Sequence, residues 1–384
     1  MSNWKNESSR CLHCKNAQCR VGCPVGYDIP TFLEYCNNGQ FENAVGVVGH
    51  LFGEVCGYVC PRDKQCKGHC ILGKRGVGLD VGVVERTAFA ENFPQLTVTG
   101  NALMGKRIAV VGGGVSGVTF AEQCYRNGAN VVIYEKNQLL HTLRSIPSFR
   151  LPKDALLRIT AAIQNSAINV VKQNVDSVTL QNLLANNDAV YLATGVMIAN
   201  KMRVEGENYA TLADDFLRGN NFGDVIVVGG GNTAMDCARL NARNGGKTTV
   251  AYRRSREDMP AFPQEIAAAE GENVQFCFHL APISIQKQQN ALAVTFAKTV
   301  SEGRGRLALT NETVTMLCDS VVVATGNGFD TSVYQAEKYV TVDANNCVCG
   351  NLYAGGDATG KNLVAEAVFD ALNASRALLA KYKR

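Results

Sequence analysis

Short runs of β-branched apolar residues recur along the chain, and each run ends at a glycine-rich segment. Residues 108–111 form one such run, helix-like spacing follows at 118–126, and a second apolar run occupies 131–134. The same succession returns within 224–254. Short apolar runs bounded by glycine are typical of buried strands, and their alternation with helical segments predicts parallel sheets of the α/β class.

Three glycines after the first run have the spacing of a dinucleotide-binding turn. Gly112 makes the tight turn, Gly114 lets a pyrophosphate approach the backbone, and Gly117 lets helix and strand pack closely. The helix that follows adds N–H groups and a positive dipole end. Glu135, after the next strand, can bind both ribose hydroxyls of an adenosine. This unit predicts a site for FAD or NAD rather than an ordinary βαβ turn.

The second copy of the unit differs at the position of the acid. Tyr252 stands where the first copy has Glu135, and two arginines follow it at once. A carboxylate would repel a 2′-phosphate, whereas guanidinium groups bind it through charge-assisted hydrogen bonds. The second site is therefore predicted to take NADP(H), the alternative being that the arginines only form a solvated strand end. The residues expected to contact the pyrophosphate and the 2′-phosphate are Gly229, Gly231, Asn232, Thr233, Arg253 and Arg254, with Arg256 close behind.

Cysteine is concentrated at the start of the chain, where nine of the fifteen cysteines fall between Cys11 and Cys70. The spacing is C-x2-C-x4-C-x3-C-P, followed by C-x3-C-P and two further cysteines. It is a variant of the ferredoxin pattern, and thiolates also bind zinc. The flavin-type unit downstream favours iron–sulfur over zinc. Between the two groups, residues 29–48 predict two short helices around Asn37-Asn38-Gly39, with Cys36 in their core.

Composition narrows the function classes further. The chain has 384 residues, 46% of them hydrophobic and 19% charged, which predicts two or three globular domains. A net charge of +4, without a basic run interleaved with aromatic residues, argues against nucleic-acid binding. The polar N-terminus lacks the apolar core of a signal peptide, and no apolar run approaches the length of a membrane span. A cytoplasmic location is expected.

Taken together, these motifs identify a family. The cysteine groups, the segment GVVERTAFAENF, the GGGVSG turn, IPSFRLPK and GGGNTAMDCA…AYRR…MP resemble the small, NADPH-oxidising subunit of glutamate synthase. They are similar also to the N-terminal half of dihydropyrimidine dehydrogenase and its separate bacterial small subunit. The resemblance implies an α-helical domain with two [4Fe-4S] clusters at 1–100, an FAD domain at 101–199 and 321–384, and an inserted NADPH domain at 200–320. Both nucleotide domains would be Rossmann-like.

The resemblance also implies the ligands of the two clusters. One cluster would be held by Cys11, Cys14, Cys19 and Cys70. The other would be held by Cys23, Cys60, Cys66 and the carboxylate of Glu85. From the residues alone Cys56 is the better fourth ligand, because a thiolate suits iron better than a carboxylate does. The choice between Cys56 and Glu85 stays open at this point.

Further residues are implied for the flavin. Asp357, at a turn after a short strand, would bind the ribityl chain, and the helix starting near Val364 would aim its N-terminus at the pyrimidine edge. The other positions implied for the cofactors are Arg150, Thr194, Gly195, Gly326 and Gly356. The chain departs from the family at 138–142, where Gln-Leu-Leu-His-Thr replaces a segment with Gly-Gly and is two residues shorter. Flavin binding could be altered there.

The function expected from the resemblance is that of an electron-transfer flavoprotein subunit. It would pass hydride from NADPH to FAD and then single electrons through the [4Fe-4S] clusters to a larger catalytic partner, with no general acid or base of its own. A dihydropyrimidine dehydrogenase small subunit and an electron-bifurcating subunit are the alternatives within the class. A zinc-binding scaffold with a degenerate flavin site is the alternative outside it.

Overall fold

A computed structural model describes residues 4–219, 223–303 and 306–383 of the chain. It divides into two compact units. The first comprises Met1–Arg144, Ser148–Met197 and Phe329–Arg384, and the second comprises Ser145–Pro147 and Ile198–Gly328. The mixed α/β class expected from the sequence is confirmed.

The α-helices of the described residues are α1 (Trp4–Ser9), α2 (Gln18–Gly22), α3 (Ile29–Asn37), α4 (Phe41–Val48), α5 (Gly53–Val59), α6 (Val81–Glu91), α7 (Val115–Arg126), α8 (His141–Arg144), α9 (Lys153–Gln164), α10 (Ser177–Asn186), α11 (Ala213–Arg218), α12 (Asn232–Arg243), α13 (Pro263–Gly271) and α14 (Val364–Tyr382). Short 3-10 helices cover Arg62–Lys64, Ile71–Arg75, Glu207–Tyr209 and Gly356–Thr359.

The strands of the described residues are β1 (Arg107–Val111), β2 (Asn130–Glu135), β3 (Asn169–Lys172), β4 (Ala189–Leu192), β5 (Ile198–Ala199), β6 (Thr211–Leu212), β7 (Val225–Val228), β8 (Thr248–Tyr252), β9 (Gln275–Phe278), β10 (Leu280–Lys287), β11 (Leu292–Gly303), β12 (Arg306–Cys318), β13 (Ser320–Val323), β14 (Asn327–Gly328), β15 (Cys347–Cys349) and β16 (Leu352–Ala354).

The N-terminal part of the first unit is helical, and its two predicted helices at 29–48 are confirmed as α3 and α4. Asp28 caps α3 by accepting a hydrogen bond from the Thr31 N–H, and α4 ends at Gly49 in the left-handed conformation. The side chains of Phe32, Phe52 and Phe89 are fully buried. These aromatic residues supply the apolar area that a small helical region needs for a stable core.

A six-stranded sheet in the order β15-β16-β4-β1-β2-β3 forms the rest of the first unit. Its strands are parallel except for the antiparallel pair β15 and β16. The register pairs Val111 of β1 with Leu192 of β4, and Leu192 with Ala354 of β16. Since parallel strands end at the same edge, the segments after β1, β4 and β16 lie side by side there.

The second unit contains a parallel sheet in the order β6-β13-β7-β8-β9. It also contains a three-stranded antiparallel sheet, β10-β11-β12, that the sequence patterns did not predict. Most of β12 is exposed, so its side chains show little of the apolar alternation by which strands are recognised. Cys237 and Cys318 are buried in the hydrophobic cores of this unit.

Within the described part of the chain, no helix combines the length and the apolarity required to cross a membrane.

Candidate cofactor-binding sites

The first glycine turn lies between β1 and α7 and has the conformation that its spacing predicts. Gly112 has φ +107°, and a Cβ at this position would collide with the carbonyl of Ala193. A Cβ at Gly117 would collide with the carbonyl of Gly112, so this glycine allows the helix to pack against the turn. A Cβ at Gly114 would have no heavy atom within 4 Å. The turn is therefore rigid at its ends and open in the middle, as a phosphate cradle requires.

Glu135 ends β2 beside this turn. Its Oε2 accepts a hydrogen bond from the Gly113 N–H at 2.7 Å, and its Oε1 accepts one from the Asn137 N–H at 2.6 Å. The carboxylate is thereby held next to the turn. Two backbone hydrogen bonds leave it acceptor capacity for ribose hydroxyls.

The segment that replaces the family's Gly-Gly closes against one side of the same turn. The Leu140 N–H donates to the Gly113 carbonyl at 2.8 Å, and a Cβ at Gly113 would lie 2.6 Å from Leu139 Cδ2. Both leucine side chains are buried, and Leu140 has φ +60°. Neither side chain is within 4 Å of the open position at Gly114. The substitution narrows the surroundings of Gly113 and leaves the middle of the cradle open.

The other residues predicted to hold the flavin follow neighbouring strands of this sheet. Thr194 and Gly195 follow β4, and the Thr194 Oγ1 is buried without a hydrogen-bond partner among the described residues. Gly356 and Asp357 follow β16, one strand away. Burial, with the nearby charge of Glu366, raises the pKa of Asp357 to about 6. A buried hydroxyl without a partner and a half-buried carboxyl beside an open glycine turn fit a polar ligand such as the flavin chain.

Asp370 is a supporting residue that sequence reasoning missed. It is buried on α14, and its Oδ2 accepts hydrogen bonds from the Gly356 N–H at 3.0 Å and the Thr359 hydroxyl at 2.9 Å. These bonds fix the turn in which Gly356 has φ +69°. The only sequence signal was an acid on the apolar side of the C-terminal helix.

Val364 begins that helix, whose N-terminus has no side-chain cap. Arg150 lies half-buried in the turn before α9.

The second glycine turn, in the other unit, repeats the geometry. Gly229 has φ +147°, where a Cβ would collide with the Ala324 carbonyl, and a Cβ at Gly231 would have no heavy atom within 4 Å. Ala234 replaces the third glycine and is buried. Thr233 is exposed in the first turn of α12. Gly326, with φ +91°, follows the neighbouring strand β13.

The two arginines predicted to bind the 2′-phosphate directly follow β8. Arg253 is exposed and Arg254 is half-exposed. The Tyr252 ring covers Gly230, and its hydroxyl donates to the Asp258 carbonyl at 2.9 Å. Arg256 forms an ion pair with Glu270 at 2.9 Å, so its guanidinium is already engaged at the surface.

The segment from Met259 to Glu265 holds this turn in place. The Ala261 N–H donates to the Gly230 carbonyl at 3.1 Å, and the Phe262 N–H donates to Asn232 Oδ1 at 2.9 Å. Glu265 accepts a hydrogen bond from Arg239 of α12 at 2.6 Å. Asn232 therefore positions the turn through its side chain, and its backbone N–H remains at the start of α12.

The cysteine-rich region contains a cavity of 240 Å³. A single water needs about 10–15 Å³, so the cavity is far larger than one small ion requires. The cysteines that line it are Cys11, Cys14, Cys19 and Cys70, the four that the family resemblance groups together. Burial and the neighbouring Cys70 raise the pKa of Cys19 to about 11. Cys70 is buried and the other three cysteines are half-buried. Thiols that are shielded from water and repel one another as thiolates fit a cationic metal group, which stabilises the thiolate form.

A second, much smaller cavity of 20 Å³ lies beyond Cys23. Its potential ligands are Cys23, Cys56, Cys60, Cys66, Glu85 and His50. Burial raises the pKa of Cys23 to about 12 and that of Glu85 to about 7. Glu85 Oε1 accepts a hydrogen bond from the Tyr27 hydroxyl at 2.7 Å. The donor chemistry fits a thiolate-held metal group, and both Cys56 and Glu85 line the cavity, so each is a candidate for the fourth ligand.

Ala365 of α14 also lines this second cavity, next to Val364 at the start of the helix. The cysteine region is tied to the nucleotide part of its unit by two further contacts. Glu54 of α5 forms a bidentate ion pair with Arg158 of α9, and Glu122 of α7 accepts a hydrogen bond from the Leu51 N–H at 3.1 Å. In the described residues, no three His, Cys, Asp or Glu side chains converge on a single metal ion.

Comparison with known proteins agrees with this arrangement. The family described as dihydropyrimidine dehydrogenase domain II, 4Fe-4S cluster, matches residues 2–95, and the pyridine nucleotide-disulphide oxidoreductase family matches residues 106–371. The glutamate synthase [NADPH] small chain of Escherichia coli is 29% identical over 98% of this chain and 90% of its own length. The NADP(+)-dependent formate dehydrogenase subunit beta of Moorella thermoacetica is 29% identical over 92% of this chain and 58% of its own.

Among solved structures, Mycobacterium tuberculosis FprA in complex with NADPH has the same fold. The TM-score is 0.58 at 18% identity, over 72% of this chain and 84% of that one. The nucleotide-binding fold and the iron–sulfur domain expected from the sequence are thus confirmed, and with them an NAD(P)H-dependent FAD oxidoreductase. The ligand of each individual residue stays a prediction.

Proposed function

Because the chain belongs to the pyridine nucleotide-disulphide oxidoreductase family, we propose that it oxidises NADPH and delivers the electrons, through FAD and two [4Fe-4S] clusters, to a larger catalytic partner. The observation that carries this proposal is the position of Ala365. It lines the second cysteine cavity and lies one residue after the start of α14, the helix that follows the turn at Asp357. The region of metal-binding chemistry and the flavin-type turn therefore adjoin within one unit.

The chain's own residues would bind and orient the cofactors. Gly112, Gly114 and the N-terminus of α7 would hold the FAD pyrophosphate, and Glu135 the adenosine ribose. Gly229, Gly231 and the N-terminus of α12 would hold the NADPH pyrophosphate, while Arg253 and Arg254 would pair with its 2′-phosphate. When bound, FAD supplies hydride acceptance and one-electron release, and iron–sulfur clusters supply one-electron transfer.

Two ligand sets are proposed for the clusters. Cys11, Cys14, Cys19 and Cys70 share one cavity, which supports the first set. The second set contains Cys23, Cys60 and Cys66, with Glu85 or Cys56 in the fourth place. The side chain of Glu85 is held by Tyr27, whereas Cys56 lies one helical turn before Cys60 on α5. Both are buried.

The partner is proposed from the names of relatives. The E. coli and Moorella proteins are a small chain and a subunit beta, respectively, and each name implies a further chain. Glutamate synthesis, pyrimidine reduction and electron bifurcation are all compatible with a chain that supplies electrons.

Anaerobic purification of the chain tests the proposal directly. We expect one FAD and about eight iron atoms with matching acid-labile sulfide per chain. NADPH should bleach the flavin and iron–sulfur absorption, and NADH should do so less well. A colourless protein that contains zinc would refute the proposal in favour of a scaffold with a degenerate flavin site. Four iron atoms instead of eight would reduce the proposal to one cluster.

A further inference from the structure

The segments that carry the first four cysteine ligands are much more basic than the rest of the chain. Residues 11–22 contain two Lys or Arg and no Asp or Glu, and residues 62–78 contain five Lys or Arg against one Asp. These 29 residues have a net charge of +6, whereas the whole chain has +4 and the remainder therefore −2. The positive charge of the protein is concentrated at one place.

The two segments lie side by side and form one surface, which we call the cysteine-cavity face. Residues from both line the 240 Å³ cavity, among them Leu12, Cys19, Cys70 and Ile71. A Cβ at Gly22 would collide with the His69 ring, so the segments also touch away from the cavity. The face is thus a continuous outer wall of the first proposed cluster site.

The cations of this face are turned to solvent. Lys15, Arg20, Lys64, Lys74 and Arg75 are exposed, and no ion pair engages them within the described residues. The remaining two cations are neutralised, because Arg62 pairs with Asp80 and Lys67 with Asp63, both at 2.8 Å. Five positive charges without ion pairs, on the two segments that line one cavity, generate a local field that attracts an anionic surface and accelerates its association.

Apolar side chains are exposed between these charges. Leu12 is 56% exposed, Val21 75% and Val77 67%. Leu12 also lines the cavity, so part of the exposed apolar surface belongs to the cavity wall. A small apolar centre with a charged rim is typical of transient protein interfaces, and weak redox encounters bury the least surface among them.

We infer that the cysteine-cavity face binds an acidic, one-electron redox protein that accepts the electrons of NADPH. The inference rests on the proposed oxidation of NADPH, and it adds a small electron carrier as a second acceptor besides the proposed larger partner. The electron balance is simple, because one NADPH yields NADP+, one proton and two electrons, and so reduces two molecules of such a carrier. A partner on this face lies against the wall that holds Cys11 and Cys70.

Binding to an acidic plant-type [2Fe–2S] ferredoxin, measured by biolayer interferometry with the anaerobically purified full chain, tests the inference. The test variant is Lys64→Glu, Lys74→Glu and Arg75→Glu combined. The matched control is Lys172→Glu, Lys287→Glu and Lys383→Glu, which changes the net charge equally at exposed positions outside the face. Cationic cytochrome c serves as the control redox protein, because its charge is opposite to that of ferredoxin.

We expect the face variant to bind ferredoxin at least about tenfold more weakly at 20 mM salt, and the control variant to change by less than about threefold. Binding by the unaltered chain should weaken steeply toward 300 mM salt, since the Debye length is then shorter than about 8 Å. Cytochrome c should bind more weakly than ferredoxin. Equal losses in the two variants, tighter binding of cytochrome c, or no ferredoxin binding at 20 mM salt would each overturn the inference.

Two further readouts separate this inference from the proposed function. Iron and flavin contents equal to those of the unaltered chain establish that the face variant is folded and loaded. NADPH oxidation with the small neutral quinone menadione should be the same in all three proteins, because a quinone needs no protein-docking face. Ferredoxin binding without menadione reduction would leave the interface in place and refute the NADPH-oxidising function. Binding of duplex DNA more tightly than ferredoxin would assign the face to nucleic acid instead.

Discussion

Replacement of both Arg253 and Arg254 by alanine should weaken the binding of NADPH much more than that of NADH. Both arginines follow β8, and the neighbouring strand β7 ends at Val228, just before Gly229, the first residue of the second glycine turn. The geometry thus brings their guanidinium groups to the strand end at which an adenosine ribose lies in such folds. Only NADPH carries a phosphate on that ribose.

The size of the effect can be worked from exposure. A hydrogen bond to a charged group contributes about 1.5–3 kcal/mol, and the lower value applies here because Arg253 is exposed and Arg254 half-exposed. Two such losses amount to about 3 kcal/mol, or about a hundredfold in the dissociation constant of NADPH. The dissociation constant of NADH should change by less than about threefold.

Isothermal titration of both cofactors into the anaerobically purified variant measures these constants. Arg256→Ala is the matched control, because this guanidinium is already bound by Glu270 and its removal should affect NADPH by less than about threefold. Equal weakening of NADPH and NADH in the double variant would show that the arginines stabilise the turn rather than bind the phosphate. A large loss of NADPH affinity in Arg256→Ala would instead assign the 2′-phosphate to Arg256.

Three further predictions concern residues of the first unit. Gly114→Val should abolish FAD binding because the added side chain enters the open cradle. The protein should stay folded, since φ at Gly114 is −80°, a value that valine adopts without strain. The control Gly271→Val, which also places its side chain in open space, should retain the flavin. Cys11→Ser should lower the iron content by about half, whereas Cys36→Ser, at a fully buried core position outside both cavities, should leave it unchanged. Burial raises the pKa of Glu122 from 4.5 to about 7, so the folded protein loses up to about 3 kcal/mol of stability as the pH rises from 4.5 to 7. The free energy of unfolding of Glu122→Gln, measured in urea, should therefore depend less on pH over this range. An unchanged pH dependence would contradict the shift.

The parts that sequence patterns predicted well are local. The strands and helices around Gly112 and Gly229, the two helices at 29–48 and the terminal helix α14 are all present. Each is specified within about thirty residues by apolar runs and by turns that only glycine can adopt. The division into three domains and the role of each candidate site residue stay predictions, because they concern bound groups and domain identity rather than backbone shape.

The parts that the patterns missed depend on contacts between distant segments. Asp370 fixes the turn at Gly356, Phe262 is bound by Asn232, and the antiparallel sheet of β10, β11 and β12 lacks a clear alternation. No local pattern distinguishes such a buried acid or amide from any other polar residue. The hydrogen-bond partners of Asp370 and Asn232 lie on other segments, which come close only when the helices and strands pack together.

The sequence by itself determined two glycine turns, the acid or arginines that follow the next strand in each copy and a cysteine-rich N-terminal region, because these spacings act over one strand and one helix. The family resemblance implied that Cys70 joins Cys11, Cys14 and Cys19, and the tertiary structure shows these four cysteines around one cavity. Only the tertiary structure decided that Ala365 of the last helix reaches the second cavity. It also gathered the cations of two separate segments on one face. Such convergence follows from how helices pack over a common core, which no spacing along the chain encodes.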